Sequence, residues 1–348
     1  MSVNFTFELA RSNDLVRIGE LTRAKNRSLT LALNRSGSLS FTMPLENNSL
    51  ASYLEELTTC VIVRLGQTIV WSGPVWTIEE STPNSISVGC VGWFQTLEKR
   101  IINPEWTVPT LNYTNVDAGA IALNLLSRSN AEPFGQINYV LPGSYETTQQ
   151  RTRNYSAYST IASEIQALST LESGFDFYVD PETREMNIYT SIQNDMVHIN
   201  FEYGTNLISA SRRSDSSRLV NRLFVYGSSG TTVQIAIDTN SINQYGLFEE
   251  SVSLSDVTDN TILAAFGQAE LAIRSQPLRL ISFEPRKFLL GPRDPMLFQD
   301  FQIGDKVYAT IKKGRFQVSR QAVRVFGATL VWDDNGSVQL TAVQTTAQ

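Results

Sequence analysis

The sequence predicts a mainly β protein with α+β parts: two small antiparallel β-barrels, a helix-and-hairpin domain between them, and a helix-containing insertion in the second barrel. Three observations predict it. Short alternating apolar runs broken by glycine, proline and asparagine fill residues 5–100, as strands and turns do. Two stretches of the middle switch to helical spacing. Residues 297–348 then return to the strand pattern of the beginning. A chain of 348 residues has room for several domains, and this one divides at 1–103, 104–208, 209–245, 246–296 and 297–348.

In the first barrel Phe5, Phe7 and Leu9 alternate. Leu29, Leu31 and Leu33 lead through a turn at residues 34–38 into Leu39, Phe41 and Met43, and Pro44 closes the hairpin. Residues 60–65 and 68–71 flank Gly66 and Gln67, a two-residue turn whose glycine supplies positive φ. Residues 75–79 and 85–91 pair across Pro83 and Asn84. Cys60 and Cys90 lie in these strands with neither a disulfide framework nor metal-ligand spacing, so they are expected to be buried free thiols.

The middle domain has a helix at about 117–129, with Ala118, Ile121, Ala122, Leu125 and Leu126 on one face and Asn115 or Asp117 as its cap. A second helix at about 157–171 carries Tyr158, Ile161, Ala162, Ile165 and Leu168. A hairpin of 175–179 and 186–189 turns at Asp180 and Pro181. Residues 209–218, with five serines and three arginines, read as a solvated connector. Residues 219–227 are apolar on both pleat faces and contain no proline, so they read as the buried first strand of the second barrel, returning through 233–237. A third helix at about 261–274, with Ile262, Phe266, Ala269 and Ile273, falls in the insertion. The barrel must then be completed by 303–307 and the strands after it, pairing with 219–225 or 233–237.

Chemistry is sparse. Lys and Arg number 28 and Asp and Glu 34, a net charge of −6 that argues against a broad nucleic-acid footprint, so no sequence-specific nucleic-acid binding is expected. The first nine residues lack the features of a signal peptide, and no apolar run approaches the roughly 20 residues of a membrane helix, so a cytoplasmically made chain without a membrane anchor is expected. His198 is the only histidine and reads as an outward strand residue. The acidic neighbours Glu55 and Glu56, Glu79 and Glu80, Glu249 and Glu250, and Asp333 and Asp334 would point to opposite faces of a strand. Two carboxylates working on one glycosidic bond must face each other. Arg212, Arg213 and Arg218 read as solvated, and Trp71, Trp76, Trp93 and Trp106 as core or interface. No catalytic, cofactor-binding or metal-binding residue stands out, and no enzyme is expected.

Four stretches carry a family likeness: the strand and Gly-Ser turn of 34–44; residues 89–100 with Gly92, Trp93, Leu97 and Arg100; 221–227; and 303–307 with the later Arg324, Val325 and Gly327. In these the chain resembles the tail hub proteins of long-tailed bacteriophages, which include the baseplate hubs of contractile tails. The resemblance implies a homotrimer whose two barrels per subunit make a six-barrel ring, matching a hexameric tail tube to three-fold tip proteins around the DNA exit path. It implies as partners the distal tail or tail tube proteins, the tape measure protein, and tip or receptor-binding proteins. The expected place is the virion tail tip, after assembly in the host cytoplasm. Some relatives add an endopeptidase or lysozyme module; this chain stops shortly after its last strand, so none is expected here. The rival reading is a carbohydrate-acting or cell-wall-binding tail protein.

Overall fold

The computed structural model describes residues 5–46, 48–81, 84–103, 111–132, 139–155, 158–170, 174–192, 199–227, 232–254, 259–285, 297–332 and 338–347. The N-terminal half is built from β1 (Phe5–Arg11), β2 (Arg17–Glu20), β3 (Lys25–Ala32), β4 (Ser38–Pro44), β5 (Thr59–Leu65), β6 (Thr68–Ser81) and β7 (Ser85–Val91). They are hydrogen-bonded in the order β2-β1-β5-β6-β7-β4-β3, each pair antiparallel. Alternation explains the faces: Leu39, Phe41 and Met43 are buried while Ser38 and Ser40 are exposed. Gly66 takes φ +61° in the β5–β6 turn. The segments 68–71 and 75–79 are one strand, not two. β6 slips register on each side of Gly73 and so serves two ladders, first with β5 and then with β7. Gly73 has no alternative there, because a Cβ would collide with the Val91 carbonyl.

The middle lobe contains β8 (Asn112–Asp117), α1 (Ala118–Asn130), β9 (Leu141–Tyr145), β10 (Gln150–Asn154), α2 (Ile161–Ser169), β11 (Asp176–Val179) and β12 (Glu185–Tyr189). Asp117 caps α1, accepting from the amides of Gly119 at 2.9 Å and Ala120 at 3.2 Å. α2 starts only at Ile161, where Thr160 accepts from the Ser163 amide at 3.2 Å. Tyr158 therefore precedes the helix, and it is 70% exposed.

The chain continues through β13 (Asn200–Glu202) and β14 (Leu207–Asp215), then an excursion of β15 (Arg222–Tyr226), β16 (Gln234–Ile237), α3 (Thr239–Tyr245), β17 (Glu249–Ser253) and α4 (Asn260–Arg274). It ends with β18 (Leu278–Pro285), β19 (Lys306–Lys313), β20 (Phe316–Trp332) and β21 (Val338–Ala347). Two expectations fail here. The serine- and arginine-rich stretch is not a connector but strand β14, paired along its length with β18. Among the described strands it ends the sheet's main path and most of its side chains are exposed, and this tolerates its polar composition.

The apolar stretch after it does not open a barrel. β15 pairs with β16 and, in parallel, with β17, while β19 pairs with β13 and β20; the expected pairing of 303–307 with 219–225 or 233–237 does not form. β15 is instead the centre of a three-stranded sheet backed by α4, with its own core of Val220, Leu223, Val225, Ala236, Leu263 and Leu271. A buried amide fixes this arrangement. Asn221 accepts from the Phe248 amide at 2.8 Å and donates to the Gly246 carbonyl at 2.7 Å, tying the entry of β15 to that of β17.

The two β halves are not separate. β20 pairs with β3, setting Thr329 opposite Thr30, so thirteen strands share one sheet. Its main path runs from β14 to β2 without closing on itself among the described residues. One continuous apolar core, from Phe5, Phe7 and Phe41 to Val325, Leu330 and Trp332, fills both halves.

Candidate functional site

A buried carboxylate, its ion pair and their hydrogen bonds meet at the junction of the two β halves with the middle lobe. Asp176, at the start of β11, is buried. It forms an ion pair with Arg324 of β20, accepts from the Ile192 amide at 2.6 Å, and accepts from the Asn34 side-chain amide at 3.1 Å. Asn34 sits in the β3–β4 turn at φ +57° and also accepts from the Phe177 amide at 2.8 Å. Arg324 donates onward to the carbonyls of Gly304 at 3.0 Å and Ile192 at 3.2 Å. One carboxylate thus holds together a turn of the first half, a strand of the middle lobe and a strand of the last half. With both charges paired and further bonded, the cost of burying them is largely offset.

Gly304 completes the junction. It adopts φ +104°, and any Cβ there would run into the Ile192 carbonyl oxygen and side chain. Beside it opens a cleft of about 770 Å³ lined both by aromatic side chains, among them Trp71, Trp93 and Phe177, and by polar ones, among them Arg35, Gln302 and Asp305.

A second set of contacts ties the middle lobe to the first half. Trp93 donates through Nε1 to the Ser72 hydroxyl at 2.7 Å, and Ser72 donates to the Pro181 carbonyl at 2.5 Å. Tyr139 stacks on Trp93 with centroids 5.8 Å apart. Arg184 stands 5.5 Å from the Trp93 ring centroid and donates to the carbonyls of Ser12 at 2.7 Å and Asn13 at 3.0 Å. These groups are spent on cohesion: donors meet acceptors within the fold, in the pattern of a joint.

The residues singled out from sequence are scattered. Cys60 and Cys90 are free and buried as expected; burial pushes the Cys60 thiol up to about 12 and the Cys90 thiol up as well. Glu249 pairs with Arg222, and Glu250 with Arg274, whose hydrogen bonds hold the Glu250 carboxyl below its ordinary value. Glu79 and Glu80 lie at the far end of β6. Arg213 pairs with Asp215, whose carboxyl is drawn down to about 2, chiefly by hydrogen bonds from Ser217 and also by Arg213. Trp71 and Trp93 are buried. His198, Trp106, Asp333 and Asp334 lie outside the described residues. Sequence reasoning missed Asp176 altogether; Asn34, Asn221 and Arg324 fell within the stretches of the family likeness, but none was given a role at a junction.

Among the described residues no group of three His, Cys, Asp or Glu side chains could hold a metal ion, and no helix is long and apolar enough to cross a membrane.

No protein-family model matches this sequence, and no curated protein matches it. Solved structures do share its fold. The tail protein from Neisseria meningitidis superposes with a TM-score of 0.68 at 12% identity, over 99% of this chain and 97% of its own. The 43 kDa tail protein of prophage MuSo2 from Shewanella oneidensis gives 0.64 at 13% identity, over 99% of this chain and 100% of its own. A type VI secretion component from E. coli, described as structurally similar to the T4 bacteriophage tail proteins gp27 and gp5, gives 0.52 at 11% identity, over 93% of this chain and 73% of its own. The fold is that of phage tail proteins, along nearly the whole chain.

Proposed function

We propose that this chain, having the fold of phage tail proteins from end to end, is a structural hub protein of a phage tail. The observation that carries the reading is the extent of the likeness: both β halves, the middle lobe and the excursion all fall within the 99% overlap with the Neisseria tail protein. The abundance of internal joints fits a load-bearing part better than an active site. We place the domain limits at about 103 and 198, with the excursion at about 216–277 set into the second β half.

Each β half is read as a small barrel. In the second, β13-β19-β20-β21-β18-β14 is one hydrogen-bonded path, and its two end strands follow each other in the chain through the short turn at Tyr203 to Leu207. Two barrels per copy and three copies give six similar units, the number needed to continue a hexameric tube into a three-fold tip. On this reading the protein is a non-enzymatic homotrimer at the virion tail tip, assembled in the host cytoplasm and surrounding the DNA exit path. Its neighbours are the distal tail or tube proteins, the tape measure protein, and tip or receptor-binding proteins. Electron cryomicroscopy of tails with the protein tagged tests this. A three-fold density at the tip is expected, and a two-fold or six-fold arrangement overturns it.

A further inference from the structure

At one mouth of the C-terminal β half, the core-facing rows of three strands all end in cations. On β14 the row passes from Ala210 to Arg212, on β18 from Phe283 and Ile281 to Arg279, and on β19 from Ala309 and Ile311 to Lys313. Residues two apart share a pleat face, so each row turns from apolar to charged within one step. Arg212 lies opposite Ile281, and Lys313 opposite Phe316. The Arg212 guanidinium stands 5.2 Å from the Phe316 ring centroid and donates to the Arg315 carbonyl at 3.5 Å, which brings β14 against the tip of the β19–β20 hairpin. That tip adds Lys312 and Arg315. All five cations are exposed, and none makes an ion pair among the described residues.

Five like charges at one corner repel one another, and a bound anionic surface removes that cost. The chain supplies such a surface. Residues 104–198 hold eleven Asp and Glu against four Lys and Arg. On the β11–β12 turn, Glu182 and Glu185 are exposed and make no ion pair among the described residues. We infer that this basic collar docks against the acidic β11–β12 turn of a second copy of the chain, as the head-to-tail contact of a cyclic assembly. The inference rests on the ring proposed above. With a net charge of −6 the molecule as a whole repels an extended polyanion, whereas a local acidic turn meets the collar alone.

The test is the oligomeric state of the full chain, by native mass spectrometry and light scattering at low and high salt. Three variants are compared with the wild type: Lys312→Glu with Lys313→Glu and Arg315→Glu; Glu182→Arg with Glu185→Arg; and all five together. Expected are a trimer that weakens with salt, association at least about tenfold weaker in each one-sided variant, and recovery in the five-fold variant where the charges are exchanged. Unchanged circular dichroism and Tm show that the variants fold. One-sided variants that remain trimers as stable as the wild type overturn the inference and leave the ring standing. A wild-type chain that stays monomeric at every concentration, with no three-fold density in tails, removes both. Labelled duplex DNA is added in parallel: binding lost on collar reversal, with the trimer untouched, assigns the collar to phosphate and also overturns the inference.

Discussion

Trp332, at the end of the long strand β20, stands edge-on to Phe7 of β1, with ring centroids 5.0 Å apart and planes at 83°. It meets Phe5 in the same way at 5.3 Å, so one side chain of the last β half sits in the core of the first. Its indole Nε1 is buried and finds no hydrogen-bond acceptor among the described residues. Trp332→Ala should therefore cost about 3–5 kcal/mol, while Trp332→Phe, which removes the unpaired donor and keeps an aromatic ring, should cost much less. Urea unfolding of the two variants checks the order, and equal losses would show that the ring contacts matter little.

Asp176 and Arg324 should behave as a unit. Asp176→Ala leaves a half-buried guanidinium and the Ile192 amide without their acceptor, for an expected loss of about 3–5 kcal/mol. The double variant with Arg324→Met should be more stable than the sum of the single losses predicts. A double-mutant cycle in urea measures the coupling; strict additivity would mean that the pair does not join the lobes.

Gly304→Ala should destabilise by more than 1 kcal/mol, because it combines a strained φ of +104° with a collision at Ile192. Gly314→Ala serves as the control: it also has positive φ, but nothing lies within 4 Å of its Cβ position, so its loss should be smaller. Thermal melts of both decide the matter.

The Cys60 thiol, raised from 9.0 to about 12, holds its proton more tightly folded than unfolded. Its contribution is therefore complete below pH 9 and declines as pH rises from about 9 towards 12. Folded protein should resist a thiol reagent at neutral pH and react at both cysteines only in denaturant. The Cys60→Ala variant should lose less stability than the wild type between pH 9 and 11. Rapid labelling of the native chain would show that the site opens locally.

Sequence and structure agree at several places where the rule is local. The alternation of Leu39, Phe41 and Met43, the glycine of the β5–β6 turn and the cap at Asp117 each depend on neighbours a few positions away, and each could be read directly. The excursion could not. Its strand β15 is apolar on both faces, like the strand of a larger sheet, and what separates it is the bonding of Asn221 to residues 20 to 27 positions on. β14 was hidden because an edge strand can be as polar as a loop. The junction was hidden because Asp176 and Arg324 are 148 positions apart and neither has a local signature.

The seam between β3 and β20 sets a schedule for the newborn chain. The hydroxyls of Thr30 and Thr329 lie 3.3 Å apart across that seam, yet 299 residues separate them. At about 5–20 residues per second, a ribosome takes roughly fifteen seconds to a minute to deliver the partner strand. Through that interval β3 has one bare edge, and copies growing on the same messenger can exchange strands there. The polar residues Lys25, Asn26 and Arg27 lie just before the segment Ser28 to Ala32 that pairs with β20, and they discourage an exchange from spreading beyond it while the chain waits for its own end.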